Sequence, residues 1–252
     1  MRLFEEEADR KRGRWLAVRD FAKEMVAETL YPTRCAVCDA PGSSLCARCA
    51  ATLPFIDALL ACPRCGAPFG AVQCSECTPV LLSSFGYDEP PYDEAVSALL
   101  LSDEVRRIVT VYKDQNERSL ARPMAEIIAR YLPPRWLARS PAITYVPATV
   151  AARRRRGFDH GERIAREVSF TVEAELAPLL VPPRRLDQRK LGRVGRIGNM
   201  RASLTVLSGA SIPETLILVD DVCTTGATLF AATDALKAAG AKTVFCATFA
   251  RA

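Results

Sequence analysis

Two adjacent acids followed by a hydroxyl-rich loop are the residues of this chain best suited to chemistry. The apolar run 216–219 ends in Asp220 and Asp221, and the loop 224–228 then reads Thr-Thr-Gly-Ala-Thr. A short apolar run is typical of a buried strand of a parallel sheet, and segment 229–239 has the composition of a helix. The loop is therefore predicted to join the carboxyl end of a strand to the N-terminus of a helix, where open α/β sheets bind ligands.

The acids and the loop suit the two halves of a sugar phosphate. Gly226 lets a ligand approach the backbone, and the hydroxyls of Thr224, Thr225 and Thr228 can join backbone N–H groups in holding a phosphate. Carboxylates bind the hydroxyls of a sugar, or a Mg²⁺ ion, which prefers oxygen ligands. The alternative is a strand that ends in solvent-facing acids, with Thr224 only capping the next helix.

This run resembles the phosphoribosyl-pyrophosphate (PRPP) binding motif of type I phosphoribosyltransferases. The resemblance implies that the two acids hold the ribose and are the catalytic residues, because a phosphoribosyl transfer needs positioning and charge neutralisation but no protein nucleophile. It further implies that the loop holds the 5′-phosphate. The PRPP-binding residues implied within the motif are Asp220, Asp221, Val222, Cys223, Thr224, Thr225, Gly226, Ala227 and Thr228.

The net charge of +5 is unevenly distributed. Four consecutive arginines occupy 153–156, and a second basic segment spans 184–201. Such runs are often only solvated faces, but beside a predicted phosphate site they indicate a surface for pyrophosphate, nucleic acid or both. Lys113, Arg155 and Arg156 are the candidates to neutralise the pyrophosphate of PRPP, together with a Mg²⁺ ion that bridges its oxygens.

Eight of the ten cysteines form four Cys-x-x-Cys pairs. Two such pairs make a closed tetrahedral site with no open position, so the pattern predicts two structural Zn²⁺ ions. Disulfides and redox chemistry are the alternatives, and four tandem pairs fit neither pattern well. Consecutive and interleaved pairing both satisfy two ions, and the spacing does not choose between them. The predicted zinc ligands are Cys35, Cys38, Cys46, Cys49, Cys62, Cys65, Cys74 and Cys77.

Two further side chains have a functional and a plain interpretation. His160, the single histidine, is either a proton donor or a residue at the start of a helix, and the second is preferred because it has no evident partner. Cys223 is either a reactive thiol near a helix N-terminus or a small space-filling residue, and the second is again preferred.

The alternation of strands and helices predicts an α/β fold with a parallel sheet flanked by helices. The motif resemblance implies that this sheet is type I phosphoribosyltransferase-like, and the cysteine pairs predict a small N-terminal Cys-rich zinc-ribbon module ahead of it. The predicted domains are an N-terminal helical extension (1–30), a double zinc ribbon (31–79) and a phosphoribosyltransferase-like domain (80–252). Helices are predicted at 14–30, at 95–111 with a break near 102–103, at 118–132 and at 160–180, and strands at 142–147, 216–219 and 242–249.

The composition narrows the class of protein. Apolar residues make up 49% of the chain, which is enough for a packed core, and no apolar run approaches the length of a membrane span. The acidic, interrupted start of the sequence does not resemble a signal peptide. We therefore expect a cytoplasmic protein without membrane insertion.

A zinc module ahead of a phosphoribosyltransferase-like domain is similar to the ComF (competence protein F) family, and the similarity covers nearly the whole chain. It rests on blocks 30–35, 111–113 with 120–125, 145–147 with 154–159, and 188–199. Lys113 matches a lysine of that family. Asp114, Asp159 and His160 depart from the family pattern, which usually has Asn and Gln at the last two positions.

The ComF resemblance implies a PRPP-binding protein that assists the handling of single-stranded DNA in DNA uptake (natural transformation), with a DNA-uptake helicase as a possible partner. Two alternatives stay open at this point. One is an active phosphoribosyltransferase that acts on a small amine or nucleobase, and the other is a non-catalytic PRPP sensor.

Overall fold

A computed structural model describes residues 32–183 and 204–252. The predicted helix 14–30 and the basic segment 184–201 lie outside the described residues. The chain divides into two compact units, Met1–Ala51 and Thr52–Ala252. The predicted domain boundaries at 30/31 and 79/80 stay predictions.

The described part of the first unit is a cysteine-bearing ribbon. Its backbone closes on itself through a bridge between Arg34 and Pro41, and a hydrogen bond from the Cys35 N–H to the Ala40 carbonyl makes the first knuckle turn. The short helix α1, Ala47–Ala51, carries the last cysteine of this unit.

The described part of the second unit has four strands with helices between them. In chain order its described elements are α2 Pro79–Ser83, β1 Glu94–Leu100, α3 Asp103–Asp114, a 3-10 turn Arg118–Leu120, α4 Ala121–Tyr131, α5 Pro134–Leu137, β2 Ala142–Tyr145, α6 Val150–Arg156, α7 His160–Thr171, β3 Thr215–Cys223, α8 Ala227–Ala238 and β4 Thr243–Arg251.

All four strands are parallel, in the order β1-β4-β3-β2. The central strands β3 and β4 are buried almost throughout, which explains why their sequences are continuous apolar runs. Helices α4 and α7 pack on each other and on the sheet, and α8 packs on β3 and β4. The predicted α/β fold with a parallel sheet flanked by helices and a Cys-rich N-terminal module is confirmed. The carboxyl end of β2 lies beside the residue that precedes the two acids, because Tyr145 pairs with Val219.

The predicted helix 95–111 is wrong in its first half. Residues Glu94–Leu100 form β1, which pairs with β4, and a helix begins only at Asp103, where the Ser102 hydroxyl caps it by accepting from the Val105 N–H. The Ala- and Leu-rich sequence of β1 favours a helix locally, but pairing with a distant strand overrides that preference.

Two other boundaries also differ from the predictions. Helix α7 ends at Thr171 rather than continuing to 180, because the chain turns at Glu173, with φ +53°, and returns to hydrogen-bond the backbone of Ile143. Strand β3 is longer than predicted and runs through both acids to Cys223. The predicted helix 118–132 and the strands at 142–147 and 242–249 are confirmed within a few residues.

Gly66, in a cysteine knuckle of the second unit, lies against β1. Its φ is +68°, and a Cβ there would come within 2.8 Å of the Ala95 carbonyl oxygen and 2.9 Å of the Val96 Cα. We expect Gly66→Ala to lower the free energy of unfolding by about 2–4 kcal/mol in chemical denaturation, because backbone strain and a clash with fixed backbone add. Gly209→Ala is the matched control, since Gly209 has φ +75° in open space. Equal losses in the two variants would show that the contact with β1 contributes nothing.

Candidate functional site: two cysteine clusters and the carboxyl end of β3

The eight paired cysteines form two separate groups of four. In each group the sulfur atoms lie within 4.8 Å of one another, and none of these cysteines is in a disulfide. Consecutive pairs share a group, so the interleaved arrangement is excluded. The groups are Cys35, Cys38, Cys46 and Cys49 in the first unit, and Cys62, Cys65, Cys74 and Cys77 in the second.

The geometry of both groups fits zinc. The Cys38–Cys46 and Cys62–Cys77 sulfur pairs are 3.7 Å apart and the Cys65–Cys74 pair 3.5 Å, whereas a tetrahedron with Zn–S bonds of about 2.3 Å has edges of about 3.8 Å. Backbone N–H groups also point at sulfur, for example from Glu76 to the Cys74 sulfur at 3.3 Å. Four thiolates leave no position open for a substrate, so both sites suit structural Zn²⁺.

The predicted phosphate loop lies where β3 meets α8. Thr224 and Thr225 are exposed, and Gly226 and Ala227 are buried beneath them. Gly226 is the residue before the helix and has φ +76°, which favours glycine, and a Cβ there would lie 3.3 Å from the Phe230 ring. The Thr225 hydroxyl accepts from the Ala227 N–H at 3.5 Å. The exposed face of this loop is the N-terminus of a twelve-residue helix, which favours an anion.

Asp220 and Asp221 lie near the carboxyl end of β3, and both are buried. The Asp221 carboxylate forms an ion pair with the Lys113 ammonium at the end of α3. The Asp220 carboxylate accepts the backbone N–H of Asp221 at 2.9 Å. The structure therefore brings Lys113 and the acid pair together, although they are far apart in sequence.

The two carboxyls titrate in opposite directions. Burial and the adjacent Asp221 charge raise the pKa of Asp220 well above its usual range. Burial also works against ionisation of Asp221, but the Lys113 ammonium and the neighbouring His160 outweigh it and lower the pKa of Asp221. In the free protein the charge of the pair is therefore centred on Asp221.

The predicted pyrophosphate arginines lie in the last turn of α6. Arg156 is mostly buried and pairs with the Asp114 carboxylate at 3.1 Å, whereas the Arg155 side chain is 70% exposed and lies 3.8 Å from the same carboxylate. Arg155 is thus the more accessible cation. The Asp114 carboxylate holds both arginines beside the end of α3.

His160 is the first residue of α7 and contacts this cluster. Arg156 donates to its Nδ1 at 3.3 Å, so Nδ1 carries no proton. Burial, together with the charges of Lys113 and Arg156, lowers the pKa of His160 to about 4. The Asp221 charge acts in the opposite direction but does not outweigh them. The imidazole is therefore neutral at neutral pH and does not serve as a proton donor, and the helix-start interpretation is the one the structure supports.

The neutral, partly buried imidazole makes stability depend on pH. Because the pKa of His160 is lower in the folded than in the unfolded chain, its stabilising effect is complete above about pH 6.5 and is lost as the pH falls towards 4. We expect the free energy of unfolding to fall by about 2 kcal/mol more between pH 7 and pH 4.5 in the unmodified chain than in His160→Gln. Chemical denaturation at the two pH values measures this difference, and parallel losses would contradict the assignment.

The loop that follows β2 is fixed by Asp159. Its carboxylate accepts the backbone N–H groups of Ala148 at 3.0 Å, Gly161 at 3.0 Å and Glu162 at 3.2 Å. It thereby caps α7 and holds the segment before α6 against the start of α7. The Asp159 carboxylate therefore has a structural role.

Phe158, the aromatic residue nearest the basic helix, is already engaged. Its ring packs edge-to-face on Tyr112 with the centroids 5.6 Å apart, and the Arg118 guanidinium lies 5.1 Å from the ring centre. It holds the α6–α7 turn against α3 rather than offering a free face for a base.

Cys223 does not have the surroundings of a reactive thiol. It is buried, and burial raises the pKa of its thiol. The structure supports the space-filling interpretation.

The sequence analysis missed Arg251, whose guanidinium is buried beside Cys223 and donates to its sulfur at 3.6 Å. The sequence feature that could have identified Arg251 is a single arginine at the end of an otherwise apolar strand.

Comparison with known families agrees with this arrangement. A double zinc ribbon domain model matches residues 26–78, and a phosphoribosyl transferase domain model matches residues 118–252. The second match covers more than half of the chain. The chain therefore belongs to the phosphoribosyl transferase domain family and carries a double zinc ribbon ahead of that domain. No curated protein matches it.

No helix within 32–183 and 204–252 is both long and apolar enough to cross a membrane.

Proposed function

We propose that this protein binds PRPP at the carboxyl end of β3, with the loop 224–228 on the 5′-phosphate and Asp220 and Asp221 on the ribose hydroxyls. The observation that carries the proposal is the junction itself: two buried acids lie near the end of a central strand, and a loop that exposes Thr224 and Thr225 then opens a long helix. These acids are the residues we assign to catalysis, should transfer occur.

The charge distribution supports a pyrophosphate beside the acids. Lys113 neutralises Asp221 in the free protein and is partly exposed, so it can turn towards an incoming phosphate. Arg155 is exposed on the neighbouring helix, and Arg156 stands behind it. Planar guanidinium groups bind phosphate in a bidentate manner. We assign Lys113, Arg155 and Arg156 to the pyrophosphate.

Mg²⁺ fits the same site by the chemistry of its donors. Carboxylate oxygens of Asp220 and Asp221 and the oxygens of PRPP are ligands of the type Mg²⁺ prefers. When bound, the ion would supply positive charge against the pyrophosphate leaving group. The chain's own part is to orient the ribose, hold the 5′-phosphate and keep Lys113 near the bond that breaks.

Calorimetric titration with PRPP and Mg²⁺ tests the proposal. We expect saturable binding to the unmodified chain and at least about a hundredfold weaker binding to Asp220→Asn/Asp221→Asn, because two hydrogen-bonding carboxylates are lost from the ribose. Asp57→Asn, at an exposed position ahead of β1, is the matched control, since it also removes an aspartate charge. Binding that is equal in the three proteins would refute the site.

A panel of amines and nucleobases separates an enzyme from a sensor. Release of pyrophosphate from PRPP with one member of the panel would establish a phosphoribosyltransferase on that acceptor. Binding of PRPP without release in the whole panel would identify a non-catalytic PRPP sensor.

Within this family we propose that the chain is a ComF-type cytoplasmic protein that assists single-stranded DNA handling during DNA uptake, with a DNA-uptake helicase as a partner. The order of zinc ribbon and phosphoribosyl transferase domain supports the ComF assignment. Arg153 and Arg154 add two exposed cations to α6 and supply the electrostatic part of DNA binding.

Labelled single-stranded DNA should bind with an affinity that falls with salt and falls further in Arg153→Gln/Arg154→Gln. Absence of binding at low salt would remove the DNA role and leave PRPP binding untouched.

A further inference from the structure

The second cysteine cluster and the phosphate loop share one buried arginine. Arg251, the last residue of β4, is 6% exposed. One of its terminal nitrogens donates to the backbone carbonyl of Cys65 at 2.9 Å and to the sulfur of Cys223 at 3.6 Å. Its other terminal nitrogen lies 3.8 Å from the carboxylate of Glu76. The guanidinium therefore contacts both knuckles of the cluster and the end of the strand that carries the acids.

The contact continues into the loop. The Ala252 N–H donates to the Cys223 carbonyl at 3.0 Å. Cys223 is thus held through its sulfur by Arg251 and through its backbone by Ala252. Gly226 lies only three residues after Cys223, so a displacement of Arg251 would shift the start of the phosphate loop.

A second, apolar connection runs in parallel. Cys62 and Cys65 belong to the same buried cluster as Cys223, Ala227 and Phe230. The Phe230 ring, which lies beneath Gly226, also packs against Phe85, Tyr87 and Tyr92, with centroid distances of 5.8, 5.2 and 5.7 Å. Along the chain, these three aromatic residues follow Cys77, the last cysteine of the second cluster. The segment fixed by the cluster therefore forms the floor of the loop.

We propose that Arg251 is a positioning residue that couples zinc at Cys62, Cys65, Cys74 and Cys77 to PRPP binding at the β3–α8 loop. Zinc fixes the Cys65 carbonyl and Glu76, these groups fix Arg251, and Arg251 fixes Cys223 and the loop. The inference rests on the proposed PRPP site. Coupling between two sites is reciprocal, so bound PRPP must in turn retain this zinc.

Zinc release to a chromogenic, zinc-selective chelator tests the coupling. The full chain with Cys35→Ser/Cys38→Ser is used, so that the signal comes from the second cluster. We expect saturating PRPP with Mg²⁺ to slow the release about tenfold, within the usual range of coupling between sites. Arg251→Met should abolish this protection and weaken PRPP binding about tenfold, and Arg251→Lys should restore part of both by keeping the charge.

Arg135→Met is the matched control, because it removes an arginine that pairs with Glu94 at the opposite end of the sheet and should leave the protection intact. Thermal unfolding shows whether each variant folds. If Arg251→Met does not fold, the coupling is decided by comparing the protection of zinc in the protein that keeps Arg251 with the protection in Arg251→Lys. Saturable PRPP binding without protection of zinc overturns the coupling alone. Absence of PRPP binding to the unmodified chain overturns the proposed function, and the coupling with it.

Discussion

Cys65→Ser is expected to abolish cooperative folding of residues 52–252 at ordinary temperatures. Cys65 is 2% exposed and lies in the core together with Cys62, Phe85 and Phe230. A structural zinc site contributes roughly 10–16 kcal/mol, whereas a whole domain is stable by about 5–15 kcal/mol. Removal of one thiolate can therefore cost as much free energy as the whole unit has in stability. The measurement is zinc content by mass spectrometry together with thermal unfolding followed by circular dichroism.

Cys246→Ser is the matched control for this variant. Cys246 is fully buried in β4 and is not among the metal-ligand candidates, so its replacement should cost only about 1–3 kcal/mol for a buried hydroxyl and leave the zinc content unchanged. Cys35→Ser gives a second comparison, because Cys35 belongs to the cluster of the other compact unit. A Cys65→Ser protein that lost one zinc and kept its unfolding temperature would contradict the structural role.

Lys113→Met is expected to lower the free energy of unfolding by about 3–5 kcal/mol at pH 7.5, because it leaves the Asp221 carboxylate buried without a counter-charge. Lys113 is the group that keeps the pKa of Asp221 low against the effect of burial. Without the lysine that pKa rises, so the destabilisation should shrink as the pH falls and Asp221 takes up a proton. Chemical denaturation at pH 7.5 and pH 5.5 measures both effects.

The double variant Lys113→Met/Asp221→Asn supplies the test of cause. If the loss comes from the unpaired carboxylate, removal of its charge should restore most of the stability and abolish the pH dependence. A double variant as unstable as Lys113→Met would show instead that the lysine stem, rather than its charge, stabilises the fold.

The features that sequence predicts well here are local. The apolar run, the acids and the Thr-Thr-Gly loop occur within one short segment, and the structure places them on β3, its end and the start of α8. Cysteine spacing likewise predicted the ligands of two metal sites. It did not choose the pairing, since that depends on how the ribbon folds and not on the length of each gap.

The features that sequence missed depend on distant contacts. Glu94–Leu100 has a helix-like composition and becomes a strand only because β4 lies beside it. The role of Asp114 is visible only once α3 and α6 meet, and that of Arg251 only once β4 ends beside a cysteine knuckle. The sequence already favoured the helix-start interpretation of His160, whereas the lowered pKa of its imidazole is visible only once the fold partly buries it beside Lys113 and Arg156.

A crystal structure of the full chain with PRPP and Mg²⁺ tests the central claim most directly. We predict that the 5′-phosphate oxygens lie about 3 Å from backbone N–H and hydroxyl groups of the loop 224–228, with the ribose hydroxyls on Asp220 and Asp221. We also predict that Lys113 has turned from Asp221 towards the pyrophosphate. PRPP bound elsewhere on the chain, with the Lys113–Asp221 pair intact and the loop empty, would contradict the account.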